Sequence, residues 1–323
     1  PLLLDRCENV RLFVRDPARL DEAVRARVEV VTGHLQDEVA LTRAVRGCDT
    51  VLHLAALACA QVKDDRDYFR VNTDAVDVLL KAAARHRVGR VVHVSTVAAL
   101  PPVRHATARG IGRAPTVYGE SKRAAELLVN RYVAAGHDAV IVRPSRVYGP
   151  GPWNDANGTT RLMAMYLAGR FRVRLADRGV QANYVHVDDV AAGIALAARR
   201  GIRGRAYPLG GENATLPEYL GHIARISGIH RRVVAIPPQL LLPVAHLGAL
   251  YGRCGGSASL TPAWLNNFLE HRPLDLTTSR RDLGYEPRPL ATGVAQTLNW
   301  MLGIGGGEQN AYRALQRCGK SAA

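Results

Sequence analysis

The chain has 323 residues, 47% of them apolar and 22% charged, enough for one large core plus a smaller unit. Its net charge of +15 would suit a polyanion partner, but the basic residues are spread evenly, with no basic run and no aromatic–basic interleaving, which argues against nucleic-acid binding. No apolar run reaches the roughly 18–20 residues needed to span a membrane, and no signal peptide is visible.

Taken in chain order, Pro1 to Val10 reads as the end of a helix leading into a strand. Short β-rich runs then alternate with longer amphipathic segments. Strands are expected at Val10–Val14, Val28–Val31, Thr50–Leu54, Arg90–Ser95 and Ala139–Val142, and helices at Asp37–Arg46, Tyr68–His86 and Glu120–Ala135. That alternation predicts an α/β fold, a doubly wound parallel sheet with helices on both faces. The glycine-, proline- and asparagine-rich stretch from Gly149 to Gly158 marks a loop and a change of texture. Residues 1–150 are therefore expected to form one domain and 151–323 a smaller second one, with 183–200 returning to the first. Tyr184 to Gly193 reads as strand, cap and helix, with Asp188 or Asp189 as the cap. The apolar stretch Leu240 to Tyr251 reads as a buried helix. Five cysteines without CxxC spacing point to a reducing, cytoplasmic compartment, and the eleven histidines show no metal-ligand spacing.

The chemistry concentrates in Tyr118-Gly-Glu-Ser-Lys122. On a helix, positions i and i+4 share a face, so a phenol and an ammonium project side by side. A cation there would lower the tyrosine pKa and support acid–base work. The chain carries 39 arginines and only four lysines, Lys63, Lys81, Lys122 and Lys320, so a lysine at this spacing stands out. Ser95 and Thr96 end the Arg90 strand. His53, His93 and His186 read as packed structural residues.

Read together, these segments resemble the extended short-chain dehydrogenase/reductase superfamily, whose members include ketone reductases, epimerases and dehydratases. The resemblance rests on Asp49-Thr-Val-Leu-His-Leu-Ala-Ala56, Asn72 in Arg-Val-Asn-Thr-Asp, Val92-His-Val-Ser-Thr-Val97, Tyr118/Lys122, Val142-Arg-Pro-Ser-Arg-Val-Tyr-Gly-Pro150, the Gly210-Gly-Glu-Asn213 turn and Asp282-Leu-Gly-Tyr-Glu-Pro287. It covers nearly the whole chain and implies a Rossmann-type sheet with a smaller C-terminal substrate domain. It also assigns roles. Tyr118 becomes the general acid–base and Lys122 the group that lowers its pKa and holds the nicotinamide ribose. Thr96, favoured over Ser95, becomes the polarising hydroxyl. Leu54, Ala55 and Ala56 let the dinucleotide approach the backbone. Asn72 supports the site, and Pro144 and Ser145 face nicotinamide and substrate.

Two departures from the family pattern stand out. No G-x-x-G-x-x-G occurs near the amino end, so about twenty residues of the βαβ opening are expected upstream of Pro1. His34, followed by Leu35, occupies the place where relatives often carry an adenine-binding aspartate. Arg15 and Arg19, after Val10–Val14 (the family's second strand), suit a 2′-phosphate and favour NADP, while Asp16 leaves NAD open. The implied function is NAD(P)-dependent hydride transfer on a carbonyl or secondary alcohol. Nucleotide-sugar epimerisation and a non-catalytic dinucleotide sensor are the alternatives. Val97-Ala98-Ala99 after Thr96 lacks the acids typical of dehydratases. Arg161, Arg170, Arg172 and Arg174 are consistent either with a nucleotide diphosphate or with a solvated face. A homodimer is expected through the Tyr118 helix, which offers Ala124, Ala125, Leu128 and Val129.

Overall fold

The computed structural model describes residues 2–5, 9–58, 62, 64–101, 116–151, 153, 157–176, 179–253 and 271–303. Its strands are β1 (Arg11–Val14), β2 (Glu29–Thr32), β3 (Thr50–His53), β4 (Arg90–Val94), β5 (Ala139–Pro144), β6 (Arg146–Tyr148), β7 (Val173–Leu175), β8 (Gln181–His186), β9 (Ala206–Leu209), β10 (Glu212–Thr215) and β11 (Val234–Ile236). β3, β4, β5 and β9 form an all-parallel sheet in that order, while β1 pairs in parallel with β2. All five expected strands are present, each within two residues of its expected limits. β1 and β3 are not ladder partners, so each presents an edge that no described strand pairs.

The helix Glu38–Val45 ties the two sheets together. Asp37 caps it by accepting from the Ala40 amide at 2.9 Å. Its Leu41 and Val45 enter a core with Val76, Leu79, Leu80 and Val91, against which Phe13 and Val51 also pack. Each such side chain contributes roughly 1.5–3 kcal/mol when fully buried. A second core lies under β4 and β5, where Val92, Val140 and Val142 meet Val185, Ile194 and Ala197. A third gathers Tyr148, Met163, Leu167, Tyr219, Ile223 and Leu298. The segment Glu212–Thr215 runs antiparallel to β8, which also pairs with β6. Gly211 is needed at the turn before it, since a Cβ there would lie 2.2 Å from the Tyr184 carbonyl oxygen.

Three expectations need correction. The single helix Tyr68–His86 is instead an α-turn (Arg66–Phe69), a π-turn (Arg70–Asp74) and a helix (Ala75–Arg85). The π-turn carries Asn72, and such insertions concentrate at functional sites. The cap of the Val187–Arg200 helix is His186, whose Nδ1 accepts from the Asp188 amide at 3.3 Å. Asp189 is held elsewhere, accepting from the Arg288 Nε at 2.9 Å and the Arg288 amide at 3.1 Å. Finally, Leu240 to Tyr251 lies within a helix (Pro238–Arg253), but that helix is not buried. Leu240, Val244, Leu247 and Tyr251 are 66%, 53%, 67% and 62% exposed, because no described element packs over that row. Among the described residues no helix is long and apolar enough to cross a membrane, and no cluster of three metal-ligating side chains occurs.

Candidate active site

The helix Val117–Ala134 begins where Thr116 accepts from the Gly119 amide at 3.1 Å. That cap sets Tyr118 in the first turn and Lys122 one turn on. Tyr118 lies near Thr96, which follows β4, and the Thr96 hydroxyl works to lower the phenol's pKa. Thr96 also accepts from the Ala98 amide at 3.2 Å, nucleating the short 3₁₀ turn Val97–Ala99. Ser95 is different. Its hydroxyl is buried with no hydrogen-bond partner among the described residues. Of the two candidates, Thr96 is the one whose hydroxyl acts on the tyrosine.

Lys122 is 1% exposed, and its Nζ donates to the Val94 carbonyl oxygen at 2.7 Å. Burial pushes its pKa down to about 8, partly offset by the carboxylate of Glu126 one turn further along. The expectation that Lys122 lowers the tyrosine pKa is not met in this arrangement. Burial raises Tyr118 above the usual phenol range, only partly opposed by the Thr96 hydroxyl, while the ammonium is turned to the strand carbonyl. Two stacked imidazoles, His53 and His93, lie beneath, with ring centroids 5.4 Å apart. Burial and then Lys122 hold His53 down to about 3 and His93 well below the usual range, so both are neutral packing groups.

The lysine shift carries a stability consequence. An unfolded lysine binds its proton up to about pH 10.4. Between about pH 8 and that value, the unfolded chain therefore binds more protons, and stability rises with pH. Lys122→Met is expected to remove that rise. Urea midpoints of both proteins at pH 7.5 and 10 check it, and parallel pH dependences would contradict it.

Three further groups brace the pair, and sequence reading singled out only Asn72. Asn72 is fully buried. Its Oδ1 accepts from the Leu57 amide at 2.7 Å, and its Nδ2 donates to the Leu57 carbonyl oxygen at 3.0 Å and to Ser121 Oγ at 3.1 Å. Ser121 in turn donates to the Tyr118 carbonyl oxygen at 2.8 Å. The amide of Asn72 is thus committed to protein, tying the loop after β3 to the tyrosine helix. Glu126 accepts from Arg143 of β5 through two hydrogen bonds, at 2.9 and 2.7 Å. Arg272 donates to the carbonyl oxygens of Val97 and Leu100 at 2.9 and 2.8 Å, fastening the turn after Thr96. Glu126 lies at i+4 from Lys122, so a Tyr–Lys–Glu row was readable from spacing. Arg272 lies far off in sequence and gave no local signal.

The remaining candidates sit around the carboxyl ends of the strands. Leu54 is 57% exposed, and Ala55 and Ala56 beside it are exposed too, leaving the backbone after β3 open. Pro144 is buried at the end of β5. Ser145 is tied down, donating to Asn183 Oδ1 at 2.7 Å. Arg15 and Arg19 are exposed after β1, and Arg19 approaches Asp16 at 3.5 Å. His34 is exposed, whereas Leu35 packs on the core beside Leu41. Ala125 and Val129, expected at a dimer interface, are buried within the chain's own core. The outward side chain there is Leu127.

A crevice at the carboxyl ends of parallel strands is where such sheets bind ligands. The exposed small residues after β3, the unpartnered Ser95 hydroxyl and the Thr96–Tyr118 pair all converge on these strand ends, a set that fits a dinucleotide. The model of the NAD dependent epimerase/dehydratase family matches residues 1–210. The chain belongs to this family. A ketoreductase of Stigmatella aurantiaca, named for 4-hydroxy-2-methyl-3-oxo-4-farnesyl-3,4-dihydroquinoline-1-oxide, is 30% identical over 295 residues, covering 88% of this chain and 87% of its own. The sterol demethylase protein B of Methylococcus capsulatus is 30% identical over 313 residues, 92% of each chain. The solved dTDP-glucose 4,6-dehydratase double mutant of Streptomyces venezuelae, with NAD and DAU bound, superposes with a TM-score of 0.66 at 25% identity, covering 91% of this chain and 87% of that one. Family membership makes the protein a Rossmann-fold enzyme that uses a nicotinamide dinucleotide.

Proposed function

We propose that this family member reduces a ketone to a secondary alcohol, with Tyr118 as the proton donor. The observation that carries the reading is the placing of the Tyr118 phenol near the Thr96 hydroxyl at the end of β4, one helical turn ahead of buried Lys122. When bound, the dinucleotide supplies the hydride that the carbonyl carbon takes up. Tyr118 gives its phenolic proton to the carbonyl oxygen, and the Thr96 hydroxyl holds that oxygen in line. The raised tyrosine pKa keeps the proton in place at neutral pH, which suits an acid and hence the reductive direction. Lys122, held by the Val94 carbonyl, stands ready for a ribose hydroxyl. Asn72 and Ser121 hold the first turn of the helix.

The substrate side of the reading is an apolar ketone. Two of the relatives at 30% identity are named for a farnesyl-bearing ketone and for sterol chemistry, and a third is named a dTDP-glucose 4,6-dehydratase. Dehydration of a nucleotide sugar fits poorly, because the turn after Thr96 is Val97–Ala99 and carries no carboxylate. The test is NADPH with a panel of apolar ketones and, separately, dTDP-glucose and UDP-glucose. Turnover of the ketones alone supports the reading, whereas turnover of the sugars alone overturns it.

The cofactor proposed is NADP. Arg15 is exposed at the end of β1, where a 2′-phosphate would be met, and Arg19 is shared with Asp16. Arg15→Ala is expected to raise the KM for NADPH by roughly tenfold and that for NADH by much less, a difference of about 1.4 kcal/mol. Equal effects would make Arg15 a surface charge. We also propose a homodimer through the outer face of the tyrosine helix, centred on Leu127, which light scattering at micromolar concentration checks.

A further inference from the structure

The helix Pro238–Arg253 carries no acidic or basic residue from Pro238 to Gly252 apart from His246. Leu240, Val244, Leu247 and Tyr251 fall at i, i+4, i+7 and i+11, so they form one row along it. All four are more than half exposed. The row does not stand alone. β11 leads into this helix through Pro237, and its Val234 is the register partner of Val173 on β7. Both valines are exposed, so the ribbon that leads into the helix presents apolar side chains too.

Charge decides what this surface fits. From Tyr219 to Asn267 and on to Leu269 there is no aspartate or glutamate, while Arg225, Arg231, Arg232 and Arg253 fall in the same span. Arg232 is exposed beside β11, and Arg172 is exposed beside Val173 on β7. A protein partner's apolar face would not need the arginine-bearing, acid-free stretch from Tyr219 to Leu269 that holds the helix and β11. An interface with anionic lipid does, since apolar side chains enter the acyl boundary while guanidinium groups meet headgroup phosphates. Arginine is also suited to phosphate, through its planar fork of donors.

We propose that the Pro238–Arg253 helix and the β7–β11 ribbon dock the protein on an anionic membrane surface. The helix lies in the plane of the interface and does not cross the bilayer. This proposal stands apart from the reading of Tyr118 and holds whichever substrate the crevice takes.

The experiment is cosedimentation of the whole chain with vesicles of phosphatidylcholine alone and of equal parts phosphatidylcholine and phosphatidylglycerol. Partition is expected to be about tenfold stronger on the anionic vesicles at low salt and to weaken at high salt. Leu240→Glu together with Leu247→Glu should reduce it by at least about tenfold, with the circular dichroism spectrum unchanged. Should that double variant fail to fold, Leu247→Ser alone is expected to lower partition by roughly threefold. Absence of partition on the anionic vesicles, or equal partition of variant and parent, overturns the proposal. So does a lipid-free dimer that Leu247→Ser dissociates, because the row would then belong to a second copy.

Discussion

Tyr118→Phe is expected to lower kcat for ketone reduction by roughly 10²–10⁴-fold, the usual contribution of a positioned acid. That is about 2.7–5.5 kcal/mol of barrier. The substitution removes one oxygen and leaves the ring, which packs near Tyr68 with centroids 6.1 Å apart. Loss of a single hydroxyl contact has a small effect on stability, about 1 kcal/mol at most. Dinucleotide affinity should be nearly unchanged, since Lys122 and the strand ends are untouched. Thr96→Ala should follow with a smaller loss, and Ser95→Ala with a still smaller one, because of the two hydroxyls only that of Thr96 acts on the phenol. Steady-state kinetics of the three variants, with fluorescence titration of NADPH, checks the order. Activity near that of the parent in Tyr118→Phe would remove the tyrosine from the chemistry.

The second large effect is on stability. Glu126 is buried and its two carboxylate oxygens meet Arg143, whose side chain is 20% exposed. Glu126→Leu leaves the guanidinium without its partner in a mostly dry site and is expected to destabilise the fold by about 3–5 kcal/mol. Adding Arg143→Met should recover most of that loss, since an apolar pair of similar volume replaces the ion pair. A double-mutant cycle from urea denaturation measures it. If the second substitution adds to the first, the two side chains are not coupled. The same change bears on function through Lys122. The Glu126 carboxylate raises the lysine pKa against burial, so its loss should lower that pKa further. The alkaline limb of the kcat/KM profile, where Lys122 loses its proton, should then move to lower pH.

The parallel sheet was legible because its strands are short β-branched runs between amphipathic helices. Asp37 and Thr116 sit where a helix needs an acceptor. The tyrosine–lysine face was legible from the i, i+4 spacing alone. What spacing could not show was orientation. Whether Lys122 points at the phenol or at a strand carbonyl depends on how close β4 lies to the helix, and the Val94 oxygen takes the ammonium. The π-turn at Arg70–Asp74 was hidden as well, because its extra residue is set by Asn72 reaching Leu57 across the loop, a tertiary bond with no periodic signature. His186 displaced the two aspartates as cap because Asp189 is drawn off to Arg288, nearly a hundred residues away. The Leu240 row read as core because apolar periodicity reports a face, not what covers it.

The most direct test of the central claim follows the hydride and the proton together. The protein is given an apolar ketone and NADPH carrying deuterium at the transferable position, and the product is analysed by mass spectrometry. The account predicts a secondary alcohol with a single deuterium on the carbinol carbon, formed with one-for-one loss of NADPH and suppressed in Tyr118→Phe. A product formed without net NADPH oxidation, or an alcohol formed at an undiminished rate in Tyr118→Phe, would contradict it.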